Sequence, residues 1–443
     1  MRPSLDILQD YVDRIDDPKA VAELVLYKLA DQVRYYRGWG TYEWDGSKWH
    51  KIAEEAPWEW SNKTTVGFMA PVIEDIILDL KFLLRCLGWL EPRRDTPLIM
   101  AACEAQETLT KLLSDRKWVL NVGREVIYRG WYDDGSVSIM RQEYDLLHTQ
   151  RFLSVKNGVV DLSNGGIYEH YEKCDMFFTS VLQTEYNPIA TAPNFYKALE
   201  IWSRRNTYLI EYLQWALGSA LTGQKKYDNV YWLYGAPQLR KDFLLQIVID
   251  ILEDYAIVVP HTAFMIAHKN KSIIKKLNGK RMACCLDYPD GSPMDIASLK
   301  HICEYDNMEL YFWGQSAEPS CYPVCSLTNC FIASSGFPKI KEDVECFWAR
   351  VRPIIFPSKT QYDKLFDNDF TRTIMQEKEG ILAWLVEGAK KYLADTSLEN
   401  NPALQNFAMN MKEQWIEEMK KAQNKKPLPT RKGQTHNKKP TVI

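Results

Sequence analysis

Residues Asn229-Val-Tyr-Trp-Leu-Tyr-Gly-Ala-Pro-Gln-Leu-Arg-Lys-Asp-Phe-Leu-Leu-Gln-Ile-Val-Ile-Asp-Ile-Leu252 decide how this chain is read. A strand-like run, Asn229–Tyr234, meets a helix-like run, Phe243–Leu252, through the turn Gly235–Asp242. That is the frame of a phosphate-binding loop. In the intact loop, glycines let backbone N–H groups curl around a triphosphate, a lysine neutralises it, and the following Ser or Thr hydroxyl binds Mg²⁺. Gly235 and Lys241 keep the spacing. Arg240 replaces the glycine before the lysine, and Asp242 replaces the hydroxyl.

Working outward, further strand-like runs occur at Arg281–Leu286, Asn329–Ser334 and Val351–Phe356, with helical stretches between several of them, as a parallel nucleotide-binding sheet needs. Upstream, residues 1–150 read as an α-rich domain. Helical patterns at Ala20–Arg34, Val72–Leu90 and Pro97–Leu113 surround a hairpin-like stretch whose Asp45-Gly46 step is a strong turn signal. Residues 151–225 form a linker with short strands, turns at Asn157-Gly158 and Asn164-Gly165-Gly166, and one helical segment, Asn194–Leu221. The α/β core occupies residues 226–360. A helical region follows at residues 361–419, with Phe370–Leu393 read as one helix striped by Ile381, Leu382, Leu385 and Leu393. Residues 420–443 are a basic tail: Lys420, Lys421, Lys425, Lys426, Arg431, Lys432, Lys438 and Lys439 stand there with no acidic residue, and the composition predicts disorder. Either a solvated tail or a nucleic-acid-contacting arm fits it.

The 443-residue chain has 46% hydrophobic and 26% charged residues, ordinary for a soluble globular protein. A formal charge of −3 gives no global pull toward nucleic acid, so such binding must come from local basic patches. The ten cysteines lack the paired spacing of a disulfide framework, which favours a reducing cytoplasm. Cys321, Cys325 and Cys330 lack a CxxC pair or nearby His and read as strand residues before metal ligands. Charges at Glu74, Asp75, Asp79, Lys81 and Arg85 make Val72–Leu90 an amphipathic core helix and not a membrane span.

Several stretches together resemble the phage and plasmid primase-helicase family, whose motor is a superfamily 3 helicase, an AAA+-type ATPase. They are Gly38–Trp49, Leu153–Leu162, Phe178–Pro188, Tyr212–Gly223 and Glu379–Ala389, in the order the family has them. The resemblance implies an α/β fold: an AAA+-type P-loop ATPase core with a parallel sheet, preceded by an α-rich N-terminal domain and followed by a helical C-terminal extension. It implies ATP and Mg²⁺ as cofactors, single-stranded DNA as partner, a homo-oligomeric ring, hexameric in such motors, and a bacterial or phage-infected host cytoplasm.

Carried over residue by residue, Gly235, Arg240, Lys241 and Asp242 stand at the nucleotide. Lys241 keeps the phosphate-binding position, whereas Arg240 is ill suited to a turn needing glycine-like φ. Asp242 offers Mg²⁺ a carboxylate but adds negative charge beside a polyanion. Asp287 stands where the family has a catalytic glutamate and would share the metal with Asp242. Asp290 is a second carboxylate or, in Pro289-Asp290-Gly291, a turn residue. Ser335 replaces the sensor asparagine, and Arg350 matches the arginine finger that reaches a neighbouring subunit, with a salt bridge as its plainer role and Arg352 as second choice. Lys300 matches the lysine leading into the DNA-contacting hairpin. Tyr311, Phe312 and Trp313 either stack on bases or fill a strand core.

Two functions follow: an ATP-driven DNA helicase of phage or mobile-element replication, or a catalytically degenerate relative acting as a DNA-binding or assembly subunit beside an active helicase copy. A coincidental loop match on an unrelated α/β protein is the third reading. No paired acidic cluster marks a primase centre in the N-terminal region, so a primase would sit on a separate chain.

Overall fold

The computed structural model describes residues 12–29, 33–36, 40–53, 62–90, 97–131, 140–141, 151–173, 176, 178–224, 229–265, 273, 276–277, 279–303, 307–312, 320–325, 328–340, 344–357, 368–394 and 402–424. Its central feature is a five-stranded, all-parallel sheet. In chain order the strands are Val230–Tyr234, Ala256–Val258, Met282–Tyr288, Asn329–Ser334 and Val351–Ile355. Counted that way, they lie side by side as 5-1-4-3-2. The helix Lys241–Leu252 leads from the first strand toward one edge, and the short helix Val344–Arg350 leads from the fourth toward the other. The chain therefore reverses its winding between Val230–Tyr234 and Asn329–Ser334. Such a switch point opens a crevice beyond the carboxyl ends of the strands.

The first strand reads Val-Tyr-Trp-Leu-Tyr because both its faces are covered. Tyr231 and Leu233 pack with Leu244, Val248 and Ile251 of the following helix. Val230 and Trp232 point the other way, into a cluster with Phe347 and Trp415. The edge strand Ala256–Val258 escapes the sequence reading because three residues with an exposed Val258 carry almost no alternation.

Around this core the linker strands Phe152–Val155, Gly158–Asp161 and Gly166–Tyr168 form an antiparallel meander, its turns at the expected Asn-Gly steps. The segment expected as one helix, Asn194–Leu221, is two: Pro193–Ser203 and Thr207–Ser219. Arg204 and Arg205 both adopt left-handed backbone (φ 52° and 60°), and Asn206 caps the second helix by accepting the Leu209 N–H at 3.2 Å. Likewise Phe370–Leu393 divides into Asn368–Gln376 and Lys378–Leu393. Glu377 between them caps a distant helix, its carboxylate oxygens accepting the N–H groups of Asn194 (3.1 Å) and Phe195 (3.0 Å).

In the N-terminal region the helix expected over Ala20–Arg34 ends at Leu29, and Val33–Tyr36 is a strand paired antiparallel with Gly40–Trp44. Aromatic and β-branched residues with a hairpin to join override the helical period there. The helix expected from Val72 begins at Asn62 and carries Pro71 within it, and an unforeseen helix spans Arg116–Trp131. These helices bury their own cluster, including Val25, Ile73, Ile76, Leu80 and Val122. At the other end, Pro402–Asn424 is one continuous helix, so Lys420 and Lys421 lie on regular structure and not in a disordered tail. Trp415 inserts into the core and holds that helix in place.

Candidate functional site

The crevice predicted by the strand order is a cleft of about 620 Å³. Arg240, Lys241, Asp242, Asp287 and Ser335, five of the residues singled out in the sequence, line it together with Pro237, Phe243, Gln246, Leu286 and Ser334. Parallel register explains the convergence. Tyr234 lies opposite Ser334 on one side and Ile355 on the other, so Gly235 and Ser335 leave their strands at the same height. Asp287 reaches that rim because the register of Met282–Tyr288 slips between Cys285 and Tyr288. A bulge of this kind re-aims a side chain. Asp287 is exposed to the cleft, whereas Cys284 and Cys285 behind it are buried.

The loop itself departs from an open phosphate cradle. Gly235 sits in a tight spot: a Cβ there would lie 3.0 Å from Phe356 Cβ and 3.2 Å from Leu239 Cδ1, so its neighbours would have to give way. Pro237–Leu239 forms a 3₁₀ turn, in which the Leu239 N–H donates to Ala236 O (3.2 Å) and the Arg240 N–H to Pro237 O (3.1 Å). Pro237 has no N–H to offer. Three amides that could face a phosphate are thus absent or engaged. Trp202, fully buried, fixes the turn by donating its indole N–H to Leu239 O at 2.7 Å, and its ring lies 6.4 Å from that of Phe243.

Arg240 adopts the left-handed conformation, φ 48°, that the sequence reading assigned to a missing glycine. A non-glycine residue there costs about 1–2 kcal/mol. Its guanidinium lies over the Phe243 ring (5.7 Å) and 3.6 Å from the half-exposed Asp242 carboxylate. Lys241 opens the helix, only 4% exposed, and its ammonium donates to Gly235 O (2.8 Å) and Ala236 O (3.0 Å). Burial lowers its pKa to about 8, opposed by the nearby charges of Asp242 and Asp287. Lys241 and the two carboxylates therefore act on one another electrostatically in the same cleft. Those carboxylates are the groups that could hold Mg²⁺, the hard-cation chemistry expected of oxygen ligands.

Ser334 is buried and committed: its hydroxyl accepts from Trp232 Nε1 (2.7 Å) and donates to Gly336 O (2.8 Å). This holds the turn that presents Ser335 to the cleft. Asp290 does not line the cleft. It accepts the Phe337 N–H at 2.9 Å and fills the space where Gly336 has no side chain, which settles it as a turn residue.

Arg350 lies outside this cleft. It ends the helix before Val351–Ile355, at the opposite end of the sheet, and donates to Cys346 O at 3.0 Å. Lys300 sits on the helix Ile296–Cys303, likewise away from the cleft. Tyr311 and Phe312 belong to the strand Asn307–Phe312, paired antiparallel with Ser320–Cys325 just before the fourth core strand. Trp313 lies outside the described residues. Pro237 was visible in the sequence as a missing donor, but nothing local could announce Trp202, which meets the loop only across the fold.

Residues 22–202 match the family model described as D5 N terminal like. No curated protein matches the chain. Among solved structures, an apo form of the C-terminal region of NrS-1 matches at 13% identity over 50% of this chain and 55% of that one, with a TM-score of 0.34. A second structure of NrS-1 residues 305–718 matches at 12% identity, again over 50% of this chain and 55% of that one, with a TM-score of 0.33. The chain spans little more than half the length of those solved chains. Among the described residues, no helix is long and apolar enough to cross a membrane.

Proposed function

We propose that this chain is a superfamily 3 helicase-like protein of phage or mobile-element DNA replication, with an AAA+-type core whose cleft holds a Mg²⁺-nucleotide. The observation that carries this is the meeting of Lys241, Asp287 and Ser335 at the carboxyl edge of a parallel sheet ordered 5-1-4-3-2. A loop lysine, a carboxylate on the third strand and a hydroxyl after the fourth are the groups a nucleotide-hydrolysing site places around a γ-phosphate, its metal and its water. The match of residues 22–202 to the D5 N terminal like model fits the same assignment. In this reading Lys241 neutralises the phosphates, Asp242 and Asp287 hold Mg²⁺, Ser335 contacts the terminal phosphate, and Arg350 serves a neighbouring subunit of a ring. The antiparallel pair Asn307–Phe312 and Ser320–Cys325, with Lys300 before it, faces DNA.

A second reading, a helicase relative reduced to a DNA-binding or assembly subunit, is favoured by one feature: the Leu239 and Arg240 amides and the Lys241 ammonium all bond to carbonyls of the loop itself. Mg-ATP binding and hydrolysis, measured with and without single-stranded DNA, separate the two. DNA-stimulated turnover abolished by Lys241→Ala supports the motor. Turnover indifferent to that change removes it, and DNA binding without any nucleotide-induced rise in melting temperature supports the second reading.

A further inference from the structure

The left-handed backbone at Arg240 (φ 48°) needs a cause. Residues other than glycine stay in that region only where their surroundings over-determine it. The peptide joining Leu239 to Arg240 is trans and planar, so its C=O and its N–H point in opposite directions. Turning that peptide over would rotate ψ of Leu239 and φ of Arg240 together and carry Arg240 back to a common conformation. Some contact must hold the peptide as it stands.

The buried indole of Trp202 is that contact. Its N–H donates to Leu239 O at 2.7 Å, in surroundings where a hydrogen bond is stronger than at the surface. With the carbonyl pinned toward Trp202, the Arg240 N–H on the other edge of the peptide is held inside the turn. There it donates to Pro237 O at 3.1 Å. In the inverted peptide the Leu239 oxygen would take that place, setting the negative end of a dipole where an anion's oxygen would come. Trp202 is itself firmly mounted. It lies in the last turn of the helix Pro193–Ser203, whose first N–H groups are capped by Glu377 and whose Phe195 packs edge-on against Trp384 at 5.2 Å. It does not line the cleft, so it acts on a ligand only through the loop.

We infer that Trp202 is a positioning residue for the phosphates. It sets the Leu239–Arg240 peptide so that the Arg240 N–H faces a bound oxyanion, which takes the place of Pro237 O. The identity of the anion rests on the nucleotide reading above. A determinant of binding thereby lies outside the loop and the sheet, at the last position of the D5 N terminal like match, residues 22–202.

The test uses the full-length protein with benzothienylalanine at position 202, an isosteric tryptophan analogue in which sulfur replaces the indole N–H. The variant Trp202→Phe is measured beside it. Hydrogen exchange at the Leu239 and Arg240 amides is read without nucleotide, and Mg-ATP is then titrated. Loss of one hydrogen bond should speed that exchange about tenfold and weaken Mg-ATP about tenfold. In steady-state hydrolysis KM should rise by the same factor while kcat holds within about twofold, as for binding shared by ground and transition states. A purely structural loss would instead lower the folded fraction and leave the affinity of the folded protein unchanged. Unchanged exchange in the analogue overturns the inference. So does faster exchange with unchanged Mg-ATP affinity, which confines Trp202 to packing. A wild-type protein that binds no Mg-ATP removes the nucleotide reading; pyrophosphate is then the titrant, and the inference falls unless the analogue weakens its binding.

Discussion

The Lys241 ammonium donates to the carbonyl oxygen of Gly235 at 2.8 Å, six residues back along the same loop. A buried lysine without a bound anion is stable only if its protons find acceptors, and the loop supplies them from its own backbone. The charge that would neutralise a phosphate is thus held in place by two carbonyls that a ligand must outcompete.

Protonation of Lys241 should therefore govern anion binding. With its pKa lowered to about 8, the side chain is cationic below that value and neutral above it. Affinity for Mg-ATP should fall by up to about tenfold between about pH 7 and about pH 9, and the dependence should vanish in Lys241→Ala. Isothermal titration across that range is the check. The linkage to stability has the opposite sign. The unfolded lysine keeps its proton up to about 10.4, so raising the pH from about 8 toward that value favours the folded state.

Restoring the loop pattern should restore the ligand. Arg240→Gly removes a left-handed arginine (φ 48°) and its guanidinium from the rim, and Asp242→Thr returns a hydroxyl for Mg²⁺. Relief of strain is offset by glycine's greater freedom in the unfolded chain, so stability should change by no more than about 1 kcal/mol. Mg-ATP affinity of the double variant should rise about tenfold or more, the gain expected from about 1.4 kcal/mol of added binding energy. An affinity equal to wild type would show that Arg240 and Asp242 are not what limits binding.

Gly218 and Gly388 bring two helices into backbone contact. A Cβ on Gly218 would stand 2.2 Å from the Gly388 carbonyl carbon, and one on Gly388 would stand 2.0 Å from Gln214 O. Gly218→Ala should destabilise by about 1–3 kcal/mol or more, as overpacking does. Because these helices, Thr207–Ser219 and Lys378–Leu393, lie beneath the loop strand in one shared core, the loss should appear in denaturant midpoints without a change in cleft chemistry.

Arg281 ties the linker to the core. Buried throughout, it donates to Leu221 O and, at 2.7 Å, to Phe152 O, while its guanidinium lies 4.7 Å from the Tyr255 ring centroid. Arg281→Met leaves two carbonyls without this donor and should cost about 2–6 kcal/mol, at about 1–3 per buried group. Chemical denaturation should detect it, with limited proteolysis cutting first between residues 151 and 224.

Much of the fold was legible because its signals are local. The run Val-Tyr-Trp-Leu-Tyr, the Asn-Gly turns and the apolar stripe of Lys378–Leu393 each follow from backbone geometry and burial within a few residues. Misreadings occur where distant groups intervene. Val33–Tyr36 joins a sheet instead of continuing a helix because Gly40–Trp44 is there to pair with it. Glu377 ends one helix and caps another begun 184 residues earlier at Pro193. Trp415 keeps the C-terminal helix going past Glu418 because a socket of aromatic rings receives it.

For the cleft, the sequence by itself determined which groups exist: a lysine, two carboxylates and a hydroxyl at spacings set by strand and helix lengths. It also determined the strain at Arg240, because the turn there demands a conformation that side chains resist. Only the tertiary structure decided that these groups share one cavity, since parallel register and strand order are relations between segments far apart in the chain. It decided too that the loop is closed on itself, because Trp202, Phe356 and the loop carbonyls meet only once the core has packed.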